Sequence, residues 1–202
     1  MRKIVLMMSV SLDGYIEGPD RDISWHRVDE ELHQHFNDIV RGLGGLLHGR
    51  VTYDLMAGFW PTADIDPDAE VTAPMVEFAG IWRNIPKYVY SKTLRHADWN
   101  TTIVREVVPD EVNALKREPG GDLGLSGAAL ASAFLRHDLV DEIRLYVHPV
   151  LIGRGTPLFP HTDTTTPLDL VDSHTFGNGV ALLHYRRARG EDVVAGTEAE
   201  GV

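Results

Sequence analysis

The chain has 202 residues and no cysteine, which suits a single domain and excludes thiolate nucleophiles, disulfides, CxxC redox motifs and Cys-ligated zinc. A net charge of -11 makes its surface repel phosphate backbones and sets general nucleic-acid binding aside. No run reaches the roughly 18 apolar residues of a membrane span, and the apolar stretch after Arg2-Lys3 stops at Ser9, so the cytoplasm is the expected compartment.

Ile4 to Met8 reads as a buried first strand that leaves through the turn-capable Asp13-Gly14. From Asp29 to Val40 the apolar Leu32, Phe36, Ile39 and Val40 fall at helical spacing, with carboxylates crowding the start. Leu43 to Leu47 is a second buried strand, and Thr52 to Phe59 a short helix ended by Trp60-Pro61. Ala63 to Pro74, rich in carboxylates, predicts a long solvated loop before a turn or two of helix at Met75 to Trp82. Strands are predicted at Lys87 to Ser91 and Thr102 to Val108, and a short helix at Glu111 to Arg117. Asp122 to Leu125 then runs through Ser126-Gly127 into an Ala- and Leu-rich helix, Ala128 to Arg136. Glu142 to Val150 alternates apolar and polar residues as a half-exposed strand would, and Gly153 to Pro157 is a turn. Two last strands, Leu168 to Ser173 and Val180 to Tyr185, flank the turn Phe176-Gly177-Asn178-Gly179. Alternating strands and helices predict an α/β domain over residues 1–188, its largely parallel sheet covered on both faces and closed by an antiparallel edge. Residues 189–202, rich in Gly, Ala and Glu, are expected to be a disordered tail.

Two strand-to-helix junctions are the places where chemistry concentrates. In Leu47-His48-Gly49-Arg50-Val51-Thr52-Tyr53 a glycine allows close backbone approach, and a cation and a hydroxyl follow in the first helical turn. Gly124-Leu125-Ser126-Gly127-Ala128-Ala129 leads through small residues into the next helix. Helix starts present unpaired N–H groups and the positive dipole end, so both junctions suit phosphates. The plainer readings are a solvated Arg50 and an ordinary helix N-capped by Ser126. Ser91 and Lys92, past a buried strand, suit the ribose and 2'-phosphate of an adenine dinucleotide. Asp13 follows the first strand and is expected to face the same crevice, while the acids Asp29, Glu30 and Glu31 supply a proton-handling group or simply serve the helix dipole. The histidines show no HExxH and no other common zinc spacing, so no metal is expected. No GxSxG elbow is present, which leaves an acyl-transfer hydrolase as the weaker rival.

Four stretches together resemble the dihydrofolate-reductase-like superfamily, and within it stand-alone relatives of the RibD C-terminal reductase domain of riboflavin biosynthesis. They are Ser9 to Ile16, Leu47 to Tyr53, Ser126-Gly127 with its helix, and Leu139 to Leu145 continuing through Pro149 to Phe159. The resemblance implies a three-layer α/β/α fold with a central mixed, mostly parallel sheet, and NADPH lying across the strand ends. It implies cofactor binding by Gly49, Arg50, Thr52, Ser91, Lys92, Ser126, Gly127, Ala128 and Ala129. It further implies substrate contacts from Leu12, Asp13, Gly14, Trp25 and Arg154, and catalytic roles for Asp13 and for Glu30 or Glu31. The implied activity is hydride transfer from NADPH to a small pterin- or pyrimidine-like heterocycle, as in 5-amino-6-(5-phosphoribosylamino)uracil reductase. Dihydrofolate reduction and non-catalytic NADPH binding are the alternatives. A homodimer is the expectation for this family. The cations available for a substrate phosphate are Arg21, Arg50 and Arg154.

Overall fold

A computed structural model describes residues 1–65, 70–159 and 165–188. In chain order the elements are β1 (Ile4–Ser11), β2 (Tyr15–Glu17), α1 (Glu30–Gly42), β3 (Gly45–Gly49), α2 (Arg50–Ala57), α3 (Ala73–Asn84), β4 (Lys87–Tyr90), β5 (Thr101–Val104), α4 (Pro109–Arg117), β6 (Leu123–Ser126), α5 (Ala128–Arg136), β7 (Glu142–His148), β8 (Thr156–Pro157), β9 (Leu168–Thr175) and β10 (Ala181–Arg187). The expectation for 189–202 lies outside the described residues.

Eight strands form one sheet in the order β5-β4-β3-β6-β1-β7-β10-β9. Every pairing from β5 to β7 is parallel, and the β7-β10 and β10-β9 pairings are antiparallel. β2 and β8 make a separate two-stranded antiparallel sheet. Alternate residues of each strand feed opposite layers. Leu47, Leu123, Leu125 and Ile4 pack with Leu130 and Phe134 of α5, whereas Leu46 and Val89 pack with Tyr53 of α2 and Phe78 and Trp82 of α3. A third cluster joins Leu32 of α1 to Tyr146 and Leu182. Each such buried Leu or Phe contributes about 1.5–3 kcal/mol of transfer free energy. The result is the three-layer α/β/α architecture with helices on both faces.

α1 shows how the sequence sets an element. Leu32, Phe36 and Val40 recur at four-residue intervals on its inward stripe, and the Asp29 carboxylate accepts the Leu32 N–H at 2.9 Å.

Three sequence expectations change. The strand at Glu142 is not half-exposed: it lies between β1 and β10, and its nominally polar positions Glu142, Tyr146 and His148 are buried. Strand β5 stops at Val104 rather than Val108, because its partner β4 ends at Tyr90, opposite Val104. The expected loop at Ala63 to Pro74 is part of the core at both ends, with Ala63 and Pro74 buried and Asp64 ion-paired to Arg83 at 2.7 Å. Among the described residues no helix is long and apolar enough to cross a membrane.

Candidate active site

Strands β3 and β6 are neighbours in register, His48 opposite Ser126. From β3 the chain moves outward to β4 and β5; from β6 it crosses to β7 on the other side of β1. Such a reversal is the switch point where open α/β sheets bind ligands, outside the carboxyl ends of the strands. Helix α2 begins directly after Gly49 and α5 one residue after Ser126, so two helix starts meet at this point.

A cavity of about 500 Å³ opens there. Its walls include Gly49 at the end of β3 with Arg50, Val51 and Thr52 of α2, and Gly127 with Ala128, Ala129 and Leu130 of α5, which follow it. Met8, Tyr90 and Leu55 complete the floor, and Ile16, Glu17, Arg21, Ile23 and Thr156 come from the segments around β2 and β8. Neither helix start has a side-chain N-cap or an acid in its first turn. Those N–H groups and the dipole therefore stay available to an anion. Gly127 has a left-handed backbone, with φ +95°, and a Cβ added there would lie 2.8 Å from the Thr52 hydroxyl oxygen. Glycine thus lets the two helix starts approach each other closely.

Arg50 donates to the Thr93 hydroxyl at 2.9 Å and to the Asp54 carboxylate at 3.2 Å. It bridges the α2 start to the loop after β4. Beneath both starts, His48 Nδ1 and the Ser126 hydroxyl are 2.7 Å apart. Burial, with the nearby Lys87 charge, pushes His48 down to about 4. This histidine and serine do not form an acyl-transfer pair, because His48 is buried and neither residue lines the cavity. Nor does Ser126 cap α5; its hydroxyl belongs to His48, and Gly127 flanks the helix.

The remaining candidates separate. Ser91 is buried and accepts the N–H groups of Thr93 and Leu94, which shapes the loop that carries Thr93. Lys92 is exposed, 3.9 Å from Glu106. Asp13 does not line the cavity: it is exposed and accepts the N–H groups of Ile152 at 3.3 Å and Gly153 at 2.7 Å. The Ser11 hydroxyl, with those two N–H groups, holds its carboxyl below the usual carboxylate range. Its short side chain caps the neighbouring turn instead of reaching the crevice. Leu12 is exposed, and Gly14 turns the chain with φ +86°. The Trp25 indole donates to the Asp22 carbonyl at 3.1 Å and packs edge-on against His26 and His148. Glu30 is exposed on the first turn of α1, and the Glu31 carboxylate accepts the Gly177 N–H at 3.0 Å. Arg154 is exposed and, like Trp25, Glu30 and Glu31, outside the cavity walls. Among the described residues no three metal-ligating side chains gather at a common point.

Glu17 and Thr156 were not singled out by the sequence. Glu17 Oε1 accepts the Thr156 hydroxyl at 2.8 Å across the β2-β8 sheet. Gly155, at φ +145°, makes this possible, since a Cβ there would lie 2.0 Å from the Glu17 carbonyl oxygen. No local pattern announces a pair 139 positions apart.

Fold and site together define an α/β protein with an anion-receptive crevice at its switch point. The chain belongs to the RibD C-terminal domain family, which matches residues 2–182. It is 35% identical over 188 residues to the uncharacterised protein YyaP of Bacillus subtilis (strain 168), covering 91% of this chain and 94% of that protein. A second protein of that organism, YwjB, is 30% identical over 190 residues, with 93% and 99% covered. Among solved structures, a Shewanella sp. PV-4 protein named for riboflavin biosynthesis superposes with a TM-score of 0.71 at 22% identity, over 93% of this chain and 99% of that one. The Thermotoga maritima diaminohydroxyphosphoribosylaminopyrimidine deaminase/5-amino-6-(5-phosphoribosylamino)uracil reductase gives 0.63 at 16% identity; 93% of this chain covers 57% of that longer one. A pyrimidine reductase-like protein of Corynebacterium diphtheriae gives 0.61 at 14% identity, with 94% and 93% covered.

Proposed function

We propose that the protein is an NADPH-dependent reductase acting on a small pyrimidine- or pterin-like heterocycle. The observation that carries this reading is the meeting of two uncapped, acid-free helix starts in one cavity at the switch point. That arrangement suits a pyrophosphate, which brings two linked anions to two adjacent donor sets. Family membership and the reductase named in the Thermotoga maritima neighbour support the same reaction class.

The residues fit the cofactor in stages. Ala128, Ala129 and Val51 leave the helix N–H groups uncovered, and Gly127 keeps the gap between the starts narrow. Arg50, already aimed at Thr93, is placed to fork onto a ribose 2'-phosphate, with Lys92 nearby in sequence on the same loop. NADPH, when bound, supplies a hydride. The protein's part is to bind the dinucleotide, orient the acceptor C=N or C=O beside it, and admit one proton to the acceptor's heteroatom. Met8, Ile16, Ile23 and Leu55 give the cavity apolar wall against which a flat ring can lie.

Fluorescence titration with NADPH and, separately, NADH tests the reading. NADPH binds more tightly than NADH, and Arg50→Ala removes about tenfold or more of that preference, as expected for a lost charge-assisted contact. Absence of saturable binding of either dinucleotide contradicts the reductase assignment.

A further inference from the structure

Beyond the dinucleotide reading, on which this inference rests, we infer that Glu17 is the specificity-determining carboxylate of the substrate end. It selects an unphosphorylated ligand with adjacent N–H donors. Among the described residues Glu17 is the one carboxylate on the cavity wall. The acids suggested by resemblance are elsewhere: Asp13 on the 152–153 turn, Glu31 on Gly177, and Glu30 in solvent.

The side chain is built into place. Thr156 donates its hydroxyl to one carboxylate oxygen, Oε1, at 2.8 Å. Oε2 remains as an acceptor, and each oxygen has more than one lone pair. Arg21 reaches the same cavity from a turn in which two successive non-glycine residues, Asp20 and Arg21, hold left-handed backbones at φ 57° and 62°. Strain of this kind collects at functional sites. Gly155, pressed against the Glu17 carbonyl, adds a second conformationally demanding position to the same corner.

Charge then decides the ligand. Arg50 stands at the α2 start beside Asp54 and Thr93, where the dinucleotide reading sets it against the 2'-phosphate. Glu17 and Arg21 are the other charged residues of the lining, one anion and one cation, so apart from Arg50 the cavity wall is formally neutral. A phosphate ester brought there meets one cation and a repelling carboxylate. A ring with an N–H and an exocyclic NH₂ beside a carbonyl meets an acceptor for its donors and a donor for its oxygen. The corner therefore favours a neutral lactam-type heterocycle over a sugar phosphate.

The test uses the full chain saturated with NADPH and the probes 2-aminopyrimidin-4-one, 2,4-dimethoxypyrimidine and ribose 5-phosphate, by calorimetry. Glu17→Gln preserves shape and an oxygen for Thr156, and a thermal melt verifies its fold. The expected result is 2-aminopyrimidin-4-one binding weakened about tenfold or more in E17Q, with ribose 5-phosphate binding strengthened. The dimethoxy compound, lacking N–H donors, binds both proteins weakly. Equal aminopyrimidinone affinity in the two proteins, or no binding to the wild type, overturns the inference. NADPH titration of the same proteins separates the two claims. Intact NADPH binding beside a failed probe comparison sinks the Glu17 role alone. Loss of NADPH binding in the wild type sinks the reductase reading, and the probe comparison repeated without dinucleotide still decides Glu17.

Discussion

Helices α1 and α4 begin with Glu30-Glu31 and Asp110-Glu111, and α1 adds the Asp29 cap; helices α2 and α5 begin with no acid and no side-chain cap. α3 also lacks an acid but carries Pro74 in its first turn, which removes one N–H donor. Among the described helices, then, the two left without any such compensation are the two whose starts line the cavity. A cap is worth about 1 kcal/mol and is missing from α3 and α4 too, so it is the lack of any substitute, acid or proline, at α2 and α5 that needs a reason. A bound anion supplies one. It would satisfy the N–H groups that α1 satisfies internally. Scaffold and site are distinguished here by what their helix starts omit.

The largest effect expected from disturbing this contrast is a pH effect beneath the two bare starts. Burial holds His48 at about 4, against 6.5 for an ordinary histidine. Below about 6.5 the unfolded chain takes up a proton that the folded protein refuses until about 4. Stability tied to His48 is therefore present above 6.5 and is lost as pH falls to 4, by roughly 3 kcal/mol in all. His148, lowered by burial and then by His26 and Arg27, also to about 4, adds loss in the same direction. Denaturant unfolding between pH 7 and 4 shows this slope, and His48→Asn makes it shallower.

Gly127→Ala comes next. Forcing a side chain into φ +95°, against Thr52, costs roughly 1–3 kcal/mol of stability. Because it spreads the two helix starts, it also weakens NADPH by about tenfold, read by melting and titration together. Asp29→Ala is the smallest change and the control for the comparison. It removes the α1 cap and costs about 1 kcal/mol, while NADPH affinity stays at the wild-type value.

Much of this contrast was legible in the sequence. Alternating strands and helices implied the parallel sheet, Ala128 to Arg136 is the helix observed, and Gly49, Arg50, Thr52, Gly127, Ala128 and Ala129 do share one cavity. These features are local: glycine at a turn, small residues at a helix start, period 3.6 in the helix. What escaped depends on tertiary placement. β7 looked half-exposed because a polar letter such as His148 gives no sign that Trp25, His26 and Arg27 will pack over it. Ser91 looked like a ligand hydroxyl, but its oxygen is occupied by the loop's own N–H groups. Glu17 became visible only once β8 folded back against β2.

The most direct test of the central claim is to give α2 the acid that α1 already has. Val51 is 46% exposed on the first turn of α2 and lines the cavity, so Val51→Glu changes charge there with little change in packing. NADPH titration and melting of the ligand-free protein are measured together. The account predicts a slightly more stable free protein, by about 0.5 kcal/mol through the helix dipole, and NADPH binding weakened about tenfold by carboxylate–phosphate repulsion. Unchanged NADPH affinity in Val51→Glu would contradict it, since the α2 start would then hold no phosphate.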